Sequence, residues 1–246
     1  MLSRAKISAI NSLTKKKFRD QNRLYVIEGM KLFSTAAHCS KHLIKEVFLL
    51  EELVGEVPLE GIETNIVDAK LMKKISQLKT PQGILALVSI PQDEKLRIDE
   101  GPGLYFFLDA VQDPGNVGTI IRTCDWYGVR GLFSGNGCAD LYNPKVIQAA
   151  MGSHFNVNIH QMEFRNCVEL LRPDDIFGAT TGGKAKIGRS NEKVLVCLGN
   201  EGSGLSQEVL EGCTGMVGIE GREDRAAESL NVSMTAAIFA DRYFCR

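Results

Sequence analysis

The chain lacks the cysteine spacing of a disulfide or zinc framework: its seven cysteines (Cys39, Cys124, Cys138, Cys167, Cys197, Cys213, Cys245) are odd in number and never spaced C-x-x-C. They are expected to be reduced thiols, mostly small buried apolar residues. The four histidines (His38, His42, His154, His160) form no H-E-x-x-H, so no metal site is expected. No window reaches the roughly 18 unbroken apolar residues of a membrane span. The start, MLSRAKISAINSLTKKKFRD, has no apolar core ahead of a cleavage site, and the expected location is the cytoplasm. A net charge of -1 lacks the strongly basic balance that advertises nucleic-acid binding. Hydrophobic and charged fractions of 44% and 24% give no sign of disorder, and 246 residues suffice for two modest cores.

Charge is distributed unevenly. From Arg4 to Lys31 there are eight Lys or Arg against only Asp20 and Glu28. Such a run attracts phosphates or simply solvates a helix end, and the run alone favours the second.

An α/β pattern runs through residues 1–90: helical periodicity over Ala5 to Phe18, the strands LYVIEG and IKEVFLL, a helix after Asp68, and the strand ILALVSI. The polar segment PQDEKLRIDEGPG (91–103), bracketed by Pro and Gly, reads as a linker. Over 104–246 the alternation restarts with LYFFL, VRGLF, FNVNI, DIFGAT, VLVCLG and MVGI. These are apolar runs without polar alternation, as in a mostly parallel sheet covered by helices.

Three segments carry chemistry. In LDAVQDPGNVGTIIRTCDWYGV a strand ends at the turn-former Asp113-Pro114-Gly115, and Asn116 sits at a predicted helix N-cap. Arg122 falls off the apolar stripe of that helix, either pointing into a ligand crevice or pairing with Asp125 or Asp113 at the surface. In VLVCLGNEGSGL a strand runs into Gly199, Gly202 and Gly204, where backbone could approach a ligand closely. It matches neither a P-loop nor a dinucleotide fingerprint, and Glu201 would repel a phosphate. In ESLNVSMTAAIFADRYF, Ser229 or Asn231 can cap a terminal helix whose apolar face collects Val232, Ala236, Phe239 and Tyr243.

Together, and in this order, the segments resemble the signature motifs of the SpoU family of RNA ribose methyltransferases, also called TrmH, within the SPOUT superfamily. N-x-x-x-x-x-R is Asn116 to Arg122, G-N-E-G is Gly199 to Gly202, and S-L-N is Ser229 to Asn231. NPKVIQAAMGSHF (Asn143 to Phe155) resembles a further family segment, and Asn11 to Leu32 with Lys79 to Val88 resemble the family's N-terminal substrate-binding domain. The chain departs at the third motif: Ile219 is followed by Glu220, and REDRAAE (Arg222 to Glu228) lengthens the approach to Ser229.

The resemblance implies an α/β fold with a mostly parallel sheet, a C-terminal trefoil knot and a small N-terminal RNA-binding domain. It implies methyl transfer from S-adenosylmethionine to a ribose 2′-hydroxyl by a homodimer. Arg122 would activate the hydroxyl, although a guanidinium of pKa above about 12 is an awkward base. Asn116 would orient Arg122 or the RNA; Glu201 would accept a hydrogen bond from Arg122 or another partner, with Ser229 and Asn231 beside it. Gly199, Ile219, Leu230 and Thr180 would bind the cofactor, largely by backbone, and Lys15, Lys16, Lys17 and Arg19 would contact RNA. Family association favours ribosomal RNA, with a guanosine of 23S rRNA as candidate target. A transfer-RNA methyltransferase and a non-catalytic ribosome-assembly factor are the alternatives; a dinucleotide-dependent oxidoreductase is disfavoured because the glycine-rich loop comes late in the chain.

Overall fold

The computed structural model describes residues 2–91 and 101–245. These form two compact units, one of residues 2–91 with 142–156, the other of residues 101–141 with 157–245. Most of the expected linker, residues 92–100, lies outside the described residues. Residues 142–156, which the sequence pattern assigns to the catalytic domain, cluster with the N-terminal unit.

In the first unit, Ser3 accepts the Lys6 N–H at 3.1 Å and caps α1 (Arg4–Ser12). The single helix expected over Ala5 to Phe18 is broken, because α2 begins anew (Lys16–Asn22). The Thr14 hydroxyl donates to the Asn11 carbonyl at 2.9 Å, and Arg19 Nη1 donates to the Leu13 and Thr14 carbonyls at 2.7 and 2.9 Å. Side chains thus take carbonyls that a continuous helix would have used itself. The same bonds correct the expectation that Arg19 contacts RNA: only 2% exposed, it holds the α1–α2 corner. Arg19→Ala should cost about 2–4 kcal/mol by stranding those carbonyls, read as a lower midpoint in urea unfolding, and should leave the salt dependence of RNA binding unchanged.

The chain continues through β1 (Leu24–Glu28), α3 (Met30–Cys39), β2 (Ile44–Leu49), β3 (Glu63–Ile66), α4 (Ala69–Ile75) and β4 (Ile84–Ser89). The sheet order is β1-β4-β2-β3, with β4 antiparallel to β1 and β2, and β2 parallel to β3. Strand alternation sorts residues to two faces. Ile84, Ala86 and Val88 join Phe33 and Ala36 of α3 and Ile147, whereas Leu85 and Leu87 join Ile10 of α1 and Met72 and Ile75 of α4. The mostly exposed β3 carries no hydrophobic pattern and was not legible as a strand.

The second unit contains β5 (Gly103–Leu108), α5 (Pro114–Tyr127), β6 (Gly131–Ser134), β7 (Ile159–Gln161), α7 (Phe164–Leu171), β8 (Asp175–Ala179), β9 (Lys193–Leu198), α8 (Gln207–Gly212), β10 (Gly215–Val217) and α9 (Val232–Phe244); α6 (Pro144–Ala150) belongs to the first. Its strands pair in parallel in the order β10-β8-β9-β5-β6-β7. The central β5 is buried on both faces, as its unbroken apolar run requires. Tyr105 and Phe107 meet Phe164 and Leu171 on one side, and Phe106 and Leu108, facing the other way, are equally buried. The expected strand FNVNI is shorter and later than its pattern suggested, because Ser153–Phe155 form a 3-10 turn after Gly152 and pairing begins at Ile159.

All seven cysteines are free thiols. Cys124, Cys167 and Cys197 are buried, but Cys138 and Cys213 are half-buried and Cys39 and Cys245 exposed, so fewer are core residues than expected. Burial pushes the Cys167 thiol up to about 12. Among the described residues no helix is long and apolar enough to cross a membrane, and no group of three or more His, Cys, Asp or Glu could hold a metal ion.

Candidate active site

At the carboxyl edge of the parallel sheet, where open α/β sheets bind ligands, the loops after β5, β8, β9 and β10 converge. After β5 the N-cap of α5 is Asp113 rather than Asn116. The Asp113 side chain accepts the Asn116 N–H at 2.9 Å, and Pro114 starts the helix, where a missing N–H costs nothing. Asn116 is thereby set in the first turn with its side chain free for another task. Its Nδ2 donates to Glu201 Oε1 at 2.6 Å, and its Oδ1 accepts from Asn231 Nδ2 at 2.9 Å. Asn231 also caps α9, its Oδ1 accepting the Ser233 N–H at 2.9 Å. Three side chains far apart in sequence are thus joined in one chain of hydrogen bonds.

The loop after β9 is a small hairpin closed by two backbone bonds between Asn200 and Gly204, both 3.0 Å. Asn200 locks it: Oδ1 accepts the N–H groups of Gly202 and Ser203 at 2.9 and 3.0 Å, and Nδ2 donates to the Ala110 carbonyl at 2.9 Å. Asp109 Oδ2 accepts the Ser206 N–H at 2.5 Å. The hairpin is therefore fastened to the end of β5. Gly199 has no alternative at its foot, since a Cβ there would lie 2.5 Å from the Gly204 carbonyl carbon. Asn200 and Asp109 were not singled out from sequence; the Asn within G-N-E-G, a residue type that folds turns onto itself, was the available signal.

Beside the hairpin opens a pocket of about 560 Å³, walled by Thr180, Gly199, Leu205, Ile219, Leu230 and Phe239 among others. That volume suits a cofactor-sized molecule. Three carboxylates, Glu201, Glu220 and Glu228, line it against one guanidinium, Arg225, which donates to the Arg222 carbonyl at 3.0 Å. Arg222 pairs with Asp224. The lengthened charged segment thus folds on itself along the pocket rim.

Residues 103–241 match the model of the SpoU rRNA Methylase family, more than half of the chain, and residues 4–86 match the MRM3-like substrate binding domain. The chain belongs to the SpoU rRNA methylase family. It is 32% identical over 240 residues, 95% of this chain and 93% of the relative, to 23S rRNA (guanosine(2553)-2′-O)-methyltransferase RlmP of Bacillus subtilis. Among solved structures it superposes on a TrmH-family protein from Porphyromonas gingivalis with TM-score 0.88 and 31% identity, covering 99% and 98% of the two chains. An AdoMet-bound rRNA methyltransferase from Sinorhizobium meliloti gives TM-score 0.86 at 26% identity, covering 98% and 95%.

Of the residues expected at the site of this SpoU-family chain, Asn116, Glu201 and Asn231 meet directly, and Gly199, Ile219, Leu230 and Thr180 all line the pocket. Ser229 lines it too, exposed and outside the network. Arg122 stands apart. It is exposed and makes no hydrogen bond or ion pair with any described residue, so Glu201 is partnered by Asn116 rather than by Arg122, and neither Asp113 nor Asp125 holds it.

Proposed function

We propose that this SpoU-family protein transfers a methyl group from S-adenosylmethionine to a ribose 2′-hydroxyl of ribosomal RNA, with a guanosine of 23S rRNA as the candidate target. The observation that carries the reading is the Asn116–Glu201–Asn231 network standing beside the pocket at the sheet's carboxyl edge. The pocket's size and its wall from the loops after β8, β9 and β10 fit S-adenosylmethionine, which would rest against Thr180, Gly199, Ile219 and Leu230. When bound, that cofactor supplies an activated sulfonium methyl, so the protein's task is orientation and handling of the ribose proton.

In this reading Arg122 binds the RNA beside the reacting hydroxyl and stabilises charge that develops on its oxygen. Unpaired within the described residues, its guanidinium is available for a bidentate contact to phosphate. Asn116, Glu201 and Asn231 fix the start of α5 against the hairpin and α9, and Ser229 borders the same space. Lys15, Lys16 and Lys17 contact RNA from the N-terminal unit; Lys16 also pairs with Asp20 at 3.0 Å.

Trp126 of α5 is 83% exposed and Met234 of α9 61% exposed, on two helices that pack together. We assign both exposed side chains, which lie at opposite ends of the helix pair, to the contact between two copies in a homodimer. Trp126→Glu should shift the dimer toward monomer by at least tenfold in dissociation constant, since buried aromatic anchors each contribute about 2 kcal/mol or more; sedimentation velocity reads the change. The trefoil knot is supported by the closeness of two segments, Thr180 N–H donating to the Val217 carbonyl at 2.9 Å and Gly183 leaving no room for a Cβ against Val217. The site of action is the cytoplasm.

The test is transfer of tritiated methyl from the cofactor to deproteinised 23S rRNA. Label in alkali-resistant dinucleotides supports ribose methylation. Label only in transfer RNA would reassign the substrate, and cofactor binding without transfer to any RNA would leave the assembly-factor reading.

A further inference from the structure

The second unit sets two thiols against one another in a space that the candidate active site does not use. Cys197 of β9 is fully buried and pairs in register with Gly178 of the neighbouring β8. Residues paired in register point to the same face of a sheet, so the face that Cys197 presents continues over a residue with no side chain. Adjacent elements fill that gap. A Cβ on Gly178 would stand 3.1 Å from Cys213 Sγ, 2.9 Å from Leu205 Cδ1 and 2.7 Å from Met216 Sδ. Cys197, Leu205 and Cys213 accordingly pack in one cluster. Cys213 directly follows α8 and is held from both sides. Its Sγ donates to the Val209 carbonyl at 3.1 Å, one turn back in α8, and the next residue is tied to β8, the Thr214 N–H donating to the Ile176 carbonyl at 2.8 Å.

The two sulfurs are not equivalent. Cys213 is half-buried and open to a small solute, whereas Cys197 is not. A hydrogen bond from the Cys197 thiol lowers the Cys213 pKa against the opposing effect of burial. Burial first, and then that same bond, holds the Cys197 thiol well above its ordinary value. The thiolate is the form that attacks oxidants, so Cys213 is placed to react and Cys197 to supply the second sulfur. Cys167 of α7 belongs to the same cluster but is itself fully buried, its thiol pushed up to about 12.

We propose that Cys213 and Cys197 are a modification site for hydrogen peroxide, oxidised to a disulfide that weakens cofactor binding. The Cys213 sulfur attacks one peroxide oxygen, the O–O bond breaks, and the departing hydroxide takes a proton to become water, leaving a sulfenic acid. Cys197 then gives up its proton as its sulfur attacks Cys213; the S–S bond forms, the S–O bond breaks, and the oxygen leaves as a second water. In sum, two thiols lose two hydrogen atoms and one peroxide is reduced to two waters. An S–S bond of about 2.05 Å is far shorter than a contact between thiols, so the end of α8 is drawn toward β9. The other end of α8 follows Leu205, which belongs both to the thiol cluster and to the pocket wall. Gly199, two residues beyond Cys197, fits against the backbone of Gly204 and Leu205. The pull therefore reaches the wall assigned to the cofactor, and this coupling rests on S-adenosylmethionine as the occupant.

The test uses the full chain carrying Cys39→Ser and Cys245→Ser, which removes the two exposed thiols. After hydrogen peroxide, peptide mapping by mass spectrometry should find Cys197 joined to Cys213. Calorimetry should then show S-adenosylmethionine bound about tenfold more weakly, the loss being reversed by dithiothreitol. Cys213→Ser, added to the same chain, should keep the affinity of the reduced protein before and after peroxide. Cys197→Ser, lacking the second sulfur, should stop at the sulfenic acid, which dimedone traps at Cys213. If that buried substitution fails to fold, Cys213→Ser still decides. Peroxide-treated chain without the Cys197–Cys213 link overturns the pair. A complete link with cofactor affinity unchanged overturns the coupling to the pocket. Reduced chain that binds no S-adenosylmethionine overturns the cofactor reading and the coupling with it, and the peptide map alone then decides the thiol pair.

Discussion

Arg122→Ala should lose methyl transfer by about a thousandfold in kcat, the scale at which a donor aimed at a developing oxyanion contributes, while cofactor affinity stays within twofold. The split follows from placement. Arg122 is absent from the pocket wall and from the Asn116–Glu201–Asn231 network, so its removal leaves the residues assigned to the cofactor untouched. It is also exposed and unpaired, so no buried partner is stranded and folding should be unaffected. Lysine at 122 keeps the charge but loses the planar fork, and should recover little of the rate. Single-turnover methylation together with calorimetric titration of the cofactor checks both halves. Near-normal turnover in Arg122→Ala would show that the charge developing on the ribose oxygen is stabilised elsewhere.

Gly199→Ala should do the opposite, weakening cofactor binding at least a hundredfold, about 2.7 kcal/mol. The added methyl would meet the Gly204 carbonyl carbon at 2.5 Å, its oxygen at 2.6 Å and the Leu205 nitrogen at 2.7 Å. All three are backbone atoms, so no flexible side chain can yield, and overpacking of this kind costs on the order of 1–3 kcal/mol. The hairpin must move as a unit, because Asn200 and Asp109 fasten it to the end of β5. Gly202→Ala is the matched control: its Cβ would meet only Asn200 Oδ1, at 3.5 Å. Calorimetry on both variants, with circular dichroism to establish that each is folded, reads the difference.

How far the site was legible depends on whether each residue works by local pattern or by long-range contact. Apolar runs such as LYFFL and VLVCLG mark strands buried on both faces, and β5 and β9 lie at the centre of the sheet accordingly. The pocket residues Gly199, Ile219 and Leu230 follow motifs that sit at strand ends, so position along the chain was enough. The hydrogen-bond partners were not legible. Nothing local says that Glu201 takes its bond from Asn116 rather than Arg122, since the two are 85 positions apart and meet only when β5 and β9 pair. Arg19 shows the converse error: in a basic run it looks like its neighbours, yet the turn at Thr14 needs a long donor and draws it inside. The N-cap of α5 moved from Asn116 to Asp113 for a reason visible in the sequence, the proline that follows Asp113.

Packing also explains why residues 142–156 belong with the N-terminal unit. Ile147 is buried among Phe33, Val47 and Ile84, and Tyr142 lies against Tyr25 with ring centroids 4.9 Å apart. A motif shared with a catalytic domain therefore serves the core of a different unit.

The central claim, ribose methylation of ribosomal RNA, is tested most directly by mapping every 2′-O-methylated nucleotide of 23S rRNA in cells that contain this protein and in cells from which it has been deleted. Loss of a single ribose methylation at a guanosine, restored by the wild-type chain but not by Arg122→Ala, is the predicted result. An unchanged methylation map in the deletion would contradict the account.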